Sequence, residues 1–169
     1  MRIYLCQHGS TVTEAVDPNR PLTEEGRQDI RRLGEFLQGA GIRVEQIIHS
    51  GKTRAKQTAT LLASAILAGG QPKTRTGREP DDPLEPMLTE IHYATKNILI
   101  VGHQPFLGRL ASLLLGAGTD RPTLAFKPGT LACLERDAEG RWLLVFMIRP
   151  DLLIQATAAS VTSLRDGVS

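Results

Sequence analysis

Four strand-favouring residues in a row, Ile3, Tyr4, Leu5 and Cys6, are cut off by the polar group Gln7, His8 and Gly9. An unbroken run of this kind suits a strand covered on both faces. Ser10 to Arg20 is polar and holds Pro18, which reads as a loop. Thr23 followed by Glu24 and Glu25 marks a helix start, with a hydroxyl to cap free amides and carboxylates near the positive end of the dipole. Ile30, Leu33 and Leu37 recur at helical spacing and carry that helix to about Gln38, where Gly39 and Gly41 stop it. Gly26 and Gly34 are expected to weaken it slightly.

Gln46 to His49 reads as a second strand, followed at Ser50 and Gly51 by another strand-to-helix turn. From Thr53 the residues Ala55, Thr58, Leu62, Ala65 and Ile66 share one helical face. Gly69 to Pro83 reads as loop with a short edge strand near Lys73 to Thr76, and Pro83 to Tyr93 as a short helix preceded by Asp81 or Asp82 as capping group. Ile98 to Val101 is the clearest buried parallel strand, ending at His103. Phe106 to Leu115 is apolar on nearly every side and predicts a buried helix. Thr130 to Arg136 and Arg141 to Ile148 form a hairpin with Glu139-Gly140 at its turn. A last helix starts near Pro150.

These elements predict an α/β fold, a three-layer sandwich whose mostly parallel central sheet is flanked by helices, with the C-terminal hairpin adding edge strands. Residues 1–160 are expected to form a single domain, and 161–169 a loose tail. The formal charge of +2, with no basic tract interleaved with aromatics, argues against nucleic acid as a partner. Cys6 and Cys133 lie in apolar strands and read as small buried hydrophobes, and no Cys/His spacing suggests a metal. No apolar run approaches the roughly 20 residues that span a bilayer, and the chain enters a strand without a leader, so no membrane contact and a cytoplasmic location are expected.

Chemistry enters at the strand ends, where open α/β sheets collect ligands. His8, the Ser50 to Arg54 segment and His103 each follow a buried-looking strand. Lys52, Arg54 and Lys56 stand at a helix start, against the dipole. A local rule broken in this way marks a candidate anion trap, because the same free amides and an arginine attract a phosphoryl group. Two imidazoles and an arginine fork would supply donors to it. One imidazole with a free lone pair could instead attack phosphorus, and positive neighbours would keep that lone pair unprotonated. No cofactor is called for. His49 and His92 read as structural, and Asp17 and Arg20 as residues that pin a loop.

The segments Gln7-His8-Gly9-Ser10, Ser50-Gly51-Lys52-Thr53-Arg54-Ala55-Lys56-Gln57-Thr58 and Gly102-His103-Gln104-Pro105 resemble the three signatures of the histidine phosphatase superfamily. In length the chain looks like the small SixA-type phosphohistidine phosphatases. Arg20-Pro21-Leu22-Thr23 with Gly26, and Asp81-Asp82-Pro83, add to the likeness. The resemblance implies a metal-independent phosphatase in which His8 is transiently phosphorylated, Arg54 and His103 hold the phosphoryl oxygens, and Gln7, Gly9 and Ser10 complete the phosphate site. Gln7 departs from the pattern, since the family has arginine directly before its nucleophile. The proton donor is left open among Asp81, Asp82 and Glu85. A histidine-phosphorylated protein is the expected substrate, because an imidazole leaving group makes little demand on an acid catalyst. The alternatives are a phosphate- or phosphoprotein-binding module weakened by the glutamine, and a small-molecule phosphomonoesterase.

Overall fold

The computed structural model describes residues 1–75, 82–118 and 122–153. In chain order the elements are β1 (Arg2–Gln7), α1 (Glu24–Gly39), β2 (Gln46–His49), α2 (Thr53–Ile66), β3 (Lys73–Thr74), α3 (Glu85–Tyr93), β4 (Ile98–Gly102), α4 (Phe106–Leu114), β5 (Leu131–Arg136) and β6 (Trp142–Ile148). They build one six-stranded sheet in the order β3-β2-β4-β1-β5-β6. The first four strands in that order are parallel to one another, and the β5-β6 hairpin joins β1 antiparallel.

The period-two alternation of the strands divides the core into two layers. Tyr4 and Cys6 of β1, Ile47 of β2, and Leu99 and Val101 of β4 pack with Ile30, Leu33 and Leu62 of α1 and α2. Ile3 and Leu5, Ile48, and Ile98 and Ile100 point the other way, onto Met87, Ile91 and Leu110 of α3 and α4. The side chains named in both layers are buried. Burial on both faces is the reason β1 and β4 read as unbroken apolar runs. Cys6 and Cys133 are buried free thiols on the α1/α2 side.

Thr23 caps α1 by accepting the Gly26 amide at 2.9 Å. The two glycines of α1 do more than weaken it. A Cβ at Gly26 would overlap the Ser10 carbonyl, and one at Gly34 would press on Ala65 of α2 at 3.1 Å. Gly26 therefore lets the loop after β1 lie against the helix, and Gly34 lets α1 and α2 approach. The aspartates before α3 do not occupy its N-cap: that position is Leu84, which makes no side-chain capping bond, and α3 begins at Glu85. The Lys73 to Thr76 edge strand is shorter than expected, at Lys73–Thr74. A helical turn opens at Pro150 and is described to Leu153. Asp81 and the tail 161–169 lie outside the described residues.

Candidate active site

Register places the two histidines side by side. Gln7 pairs with Gly102 across the parallel β1/β4 ladder, so His8 and His103 follow at the same level, with ring centroids 5.0 Å apart. Their parity is that of Cys6 and Val101, which face α2. Arg54, in the first turn of α2, donates from Nε to His8 Nε2 at 3.3 Å. His8 Nδ1 lies 2.8 Å from the Gly9 carbonyl oxygen. A carbonyl only accepts, so Nδ1 carries the proton and Nε2 keeps its lone pair, the tautomer a nucleophile needs.

His103 is held by Ser50, whose Oγ is 2.7 Å from its Nε2, while its Nδ1 is buried without a hydrogen-bond partner. Burial lowers the His8 imidazole to about 4, opposed by the Gly9 hydrogen bond and reinforced by Arg54 and Arg20. His103 is lowered to about 3, again by burial first and then by His8, Arg54, Lys52 and Arg20. Desolvation penalises an imidazolium more than nearby cations do, which reverses the weight given to positive neighbours by sequence. Both rings are neutral at pH 7.

Helix α2 begins at Lys52 without a side-chain cap. The second signature works as a set of contacts from α2 and the turn that leads into it. Ser50 meets His103, Arg54 meets His8, Gln57 Oε1 accepts the Leu22 amide at 2.8 Å, and Thr58 Oγ1 accepts the Gly9 amide at 3.1 Å. A cleft of about 420 Å³ opens beside this cluster, lined by Glu14, Arg20, Lys52 and Arg54 among others. Arg20 has left-handed backbone (φ 47°), and its Nε is buried without a hydrogen-bond partner.

The structure thus brings His8, Arg54 and His103 together, with Ser50 and Arg20 beside them. Gln7 lies on the face of Ile3 and Leu5, and its Oε1 is buried without a hydrogen-bond partner. The Gly9 amide is committed to Thr58. Ser10 borders a separate cleft with Asp29, Lys127 and Arg149, and its carbonyl accepts the Thr23 amide. Asp82 is half-buried ahead of α3 and does not line the 420 Å³ cleft; Glu14 does. His49 is buried and accepts the Gly51 amide at Nδ1, and His92 is exposed at the end of α3. Among the described residues no cluster of three or more His, Cys, Asp or Glu could hold a metal ion, and no helix is long and apolar enough to cross a membrane.

Sequence missed Arg20, Gln57 and Thr58 as parts of the site. Gln57 and Thr58 sit inside the second signature, but their partners, the Leu22 and Gly9 amides, are backbone groups that leave no mark on side-chain pattern.

A family model described as the histidine phosphatase superfamily (branch 1) matches residues 3–76. An uncharacterised protein of Picosynechococcus sp. is 33% identical over 121 residues, covering 68% of this chain and 73% of that one. The phosphohistidine phosphatase SixA of Escherichia coli is 23% identical over 163 residues, 94% of this chain and 99% of its own. Among solved structures, that of the protein histidine phosphatase SixA complexed with tungstate superposes with a TM-score of 0.80 at 20% identity, over 90% of this chain and 99% of that one.

Proposed function

Because this chain belongs to the histidine phosphatase superfamily, we propose that it hydrolyses phosphoryl groups through a transient phosphohistidine at His8, with phosphohistidine on a protein as its substrate. The observation that carries this reading is the neutral His8 ring, its Nδ1–H on the Gly9 carbonyl and its Nε2 lone pair against Arg54. Nε2 attacks phosphorus as the bond to the leaving group breaks, and the bonding pair leaves with that group. Water then attacks phosphorus, the P–Nε2 bond breaks, its pair returns to Nε2, and phosphate departs. Arg54, His103 and the uncapped start of α2 stabilise the charge on the equatorial oxygens through both steps. Tungstate, held by the SixA of the superposed structure, is a tetrahedral oxyanion like phosphate.

Leaving-group chemistry favours the protein-phosphohistidine substrate. An alkoxide needs a proton as it leaves, whereas an imidazole is far less basic. Of the donor candidates among the described residues, neither Asp82 nor Glu85 lines the cleft, and Glu14 is exposed at its mouth; Asp81 lies outside the described residues. Position 7 carries a neutral glutamine where the family has a cation, a difference worth about tenfold in rate when neutral hydrogen bonds contribute roughly 1 kcal/mol and charged ones about 1.5–3.

Phosphate release from a phosphohistidine peptide, measured beside para-nitrophenyl phosphate and a sugar phosphate, tests the assignment. The peptide is expected to show the highest kcat/KM, by at least about tenfold. Preference for the monoesters would overturn the substrate, and saturable peptide binding without phosphate release would overturn the enzyme.

A further inference from the structure

Four hydrogen bonds around the candidate nucleophile close on themselves. Arg54 Nε donates to His8 Nε2 at 3.3 Å, and His8 Nδ1 donates to the Gly9 carbonyl at 2.8 Å. The Gly9 amide donates to Thr58 Oγ1 at 3.1 Å, and the Thr58 hydroxyl donates back to the Arg54 carbonyl at 2.8 Å. The circuit begins on the Arg54 side chain and ends on the Arg54 backbone, with every donor pointing the same way round. Two groups in the circuit both accept and donate, the His8 ring and the Thr58 hydroxyl, and through each of them the two bonds polarise one another.

We propose that Thr58 is a positioning residue for the phosphoryl-transfer site: by closing this circuit it fixes the distance and tautomer at which His8 meets Arg54. It touches neither the substrate nor the reacting nitrogen. Three further observations support the assignment. The Thr58 side chain is fully buried, so water does not compete for its hydroxyl. It lies one turn after Arg54 on α2, the spacing at which a hydroxyl reaches back to the carbonyl four residues earlier. Gly9 has almost no freedom to compensate, because a Cβ there would already sit 3.0 Å from the Gly26 carbonyl oxygen and from Ile30 Cγ1. The loop that carries His8 is therefore pressed on α1 from one side and tied to α2 by one hydroxyl from the other.

The proposal rests on the phosphatase reading for its kinetic readout, and a second readout stands apart from it. Thr58→Val keeps shape and removes both bonds, while Thr58→Ser keeps both. Turnover of para-nitrophenyl phosphate is expected to fall about tenfold in kcat for the valine variant, with KM within about twofold, and to recover to within about threefold for the serine variant. Independently of any activity, the ring ¹⁵N shifts of His8 should report one Nδ1–H tautomer in the wild type and the serine variant, and a mixture of tautomers in the valine variant. A folded valine variant with wild-type kcat and a single tautomer would overturn the proposal, as would a serine variant as slow as the valine one. If the valine variant does not fold, Thr58→Cys, which weakens both bonds at similar size, must fall below the serine variant in kcat. Equality of the two would overturn it. Should the wild type itself release no phosphate, the phosphatase reading fails while the tautomer comparison still decides the role of Thr58.

Discussion

Both ends of the central sheet carry arginines, histidine and a cleft, and they differ in what the guanidinium contacts reach. At the end where β1 begins, the cations are answered by oxygen. Arg2 Nε lies 2.8 Å from Glu135, and Arg136 donates to the His92 carbonyl at 3.0 Å and the Ala94 carbonyl at 3.4 Å while stacking on Trp142. At the end where β1 finishes, Arg54 Nε points at the lone pair of a neutral imidazole, and Arg20 Nε has no hydrogen-bond partner. The far cleft is the larger, about 520 Å³ against about 420 Å³. Volume does not mark the chemical end. What marks it is a pair of neutral imidazoles with one guanidinium Nε on His8 and another, that of Arg20, buried without a hydrogen-bond partner.

The sharpest way to break this contrast is at the nucleophile. His8→Ala is expected to lower phosphate release by about 10³-fold or more and to remove acid-labile phosphate from trapped enzyme, both read with a labelled substrate. Label that survived the substitution would place the nucleophile elsewhere. Gln7→Arg should raise kcat by up to about tenfold provided the longer side chain reaches the phosphoryl group from the face of Ile3 and Leu5. An unchanged or lower kcat would mean that Arg20 and Arg54 already meet the demand.

Acid should weaken the chemical end selectively. His8 and His103 titrate near 4 and 3 in the folded protein, below the ordinary histidine value of about 6.5. Above that ordinary value neither state binds the proton. Below it the unfolded chain takes up protons that the folded rings refuse, so stability falls as pH drops from about 6.5 towards 3. Urea midpoints at pH 7.5 and 5.0 should therefore differ, and His103→Asn should reduce the difference. Equal midpoints for the wild type would contradict buried neutral imidazoles.

The smallest effect is expected at the far end. Arg136→Met keeps much of the packing on Trp142 and removes two bonds to carbonyls at an exposed site, so it should cost at most about 1 kcal/mol in urea unfolding. Its kcat should equal that of the wild type. A kcat loss there would show that the two ends are coupled.

Much of this was readable along the chain. β2 begins and ends where its apolar pair and flanking polar residues predict, and the cap at Thr23, the buried β4 and the Glu139-Gly140 hairpin follow from local rules. The approach of His8, Arg54 and His103 was legible because the histidines follow strand ends and Arg54 opens the helix after another, where the fold class itself gathers ligands. Three features were hidden. Gly26 and Gly34 read as helix weakeners because the surfaces that approach them come from distant segments. Asp81 and Asp82 read as caps for α3 because sequence places acids before the helix without fixing which residue takes the N-cap geometry. Arg20 read as a loop pin because nothing local shows a guanidinium nitrogen buried without an acceptor.

Sequence alone determined the elements, their layering and the residues that could do chemistry, since propensity, periodicity and capping act over a few neighbouring positions. Tertiary structure decided the rest. The β1/β4 register set His8 beside His103, burial made both rings neutral, and the packing of the Gly9 loop between α1 and α2 turned Thr58 from a core residue into a link between Arg54 and His8. Those outcomes depend on desolvation and on hydrogen bonds between segments dozens of residues apart, and neither is a property of any stretch of chain taken by itself.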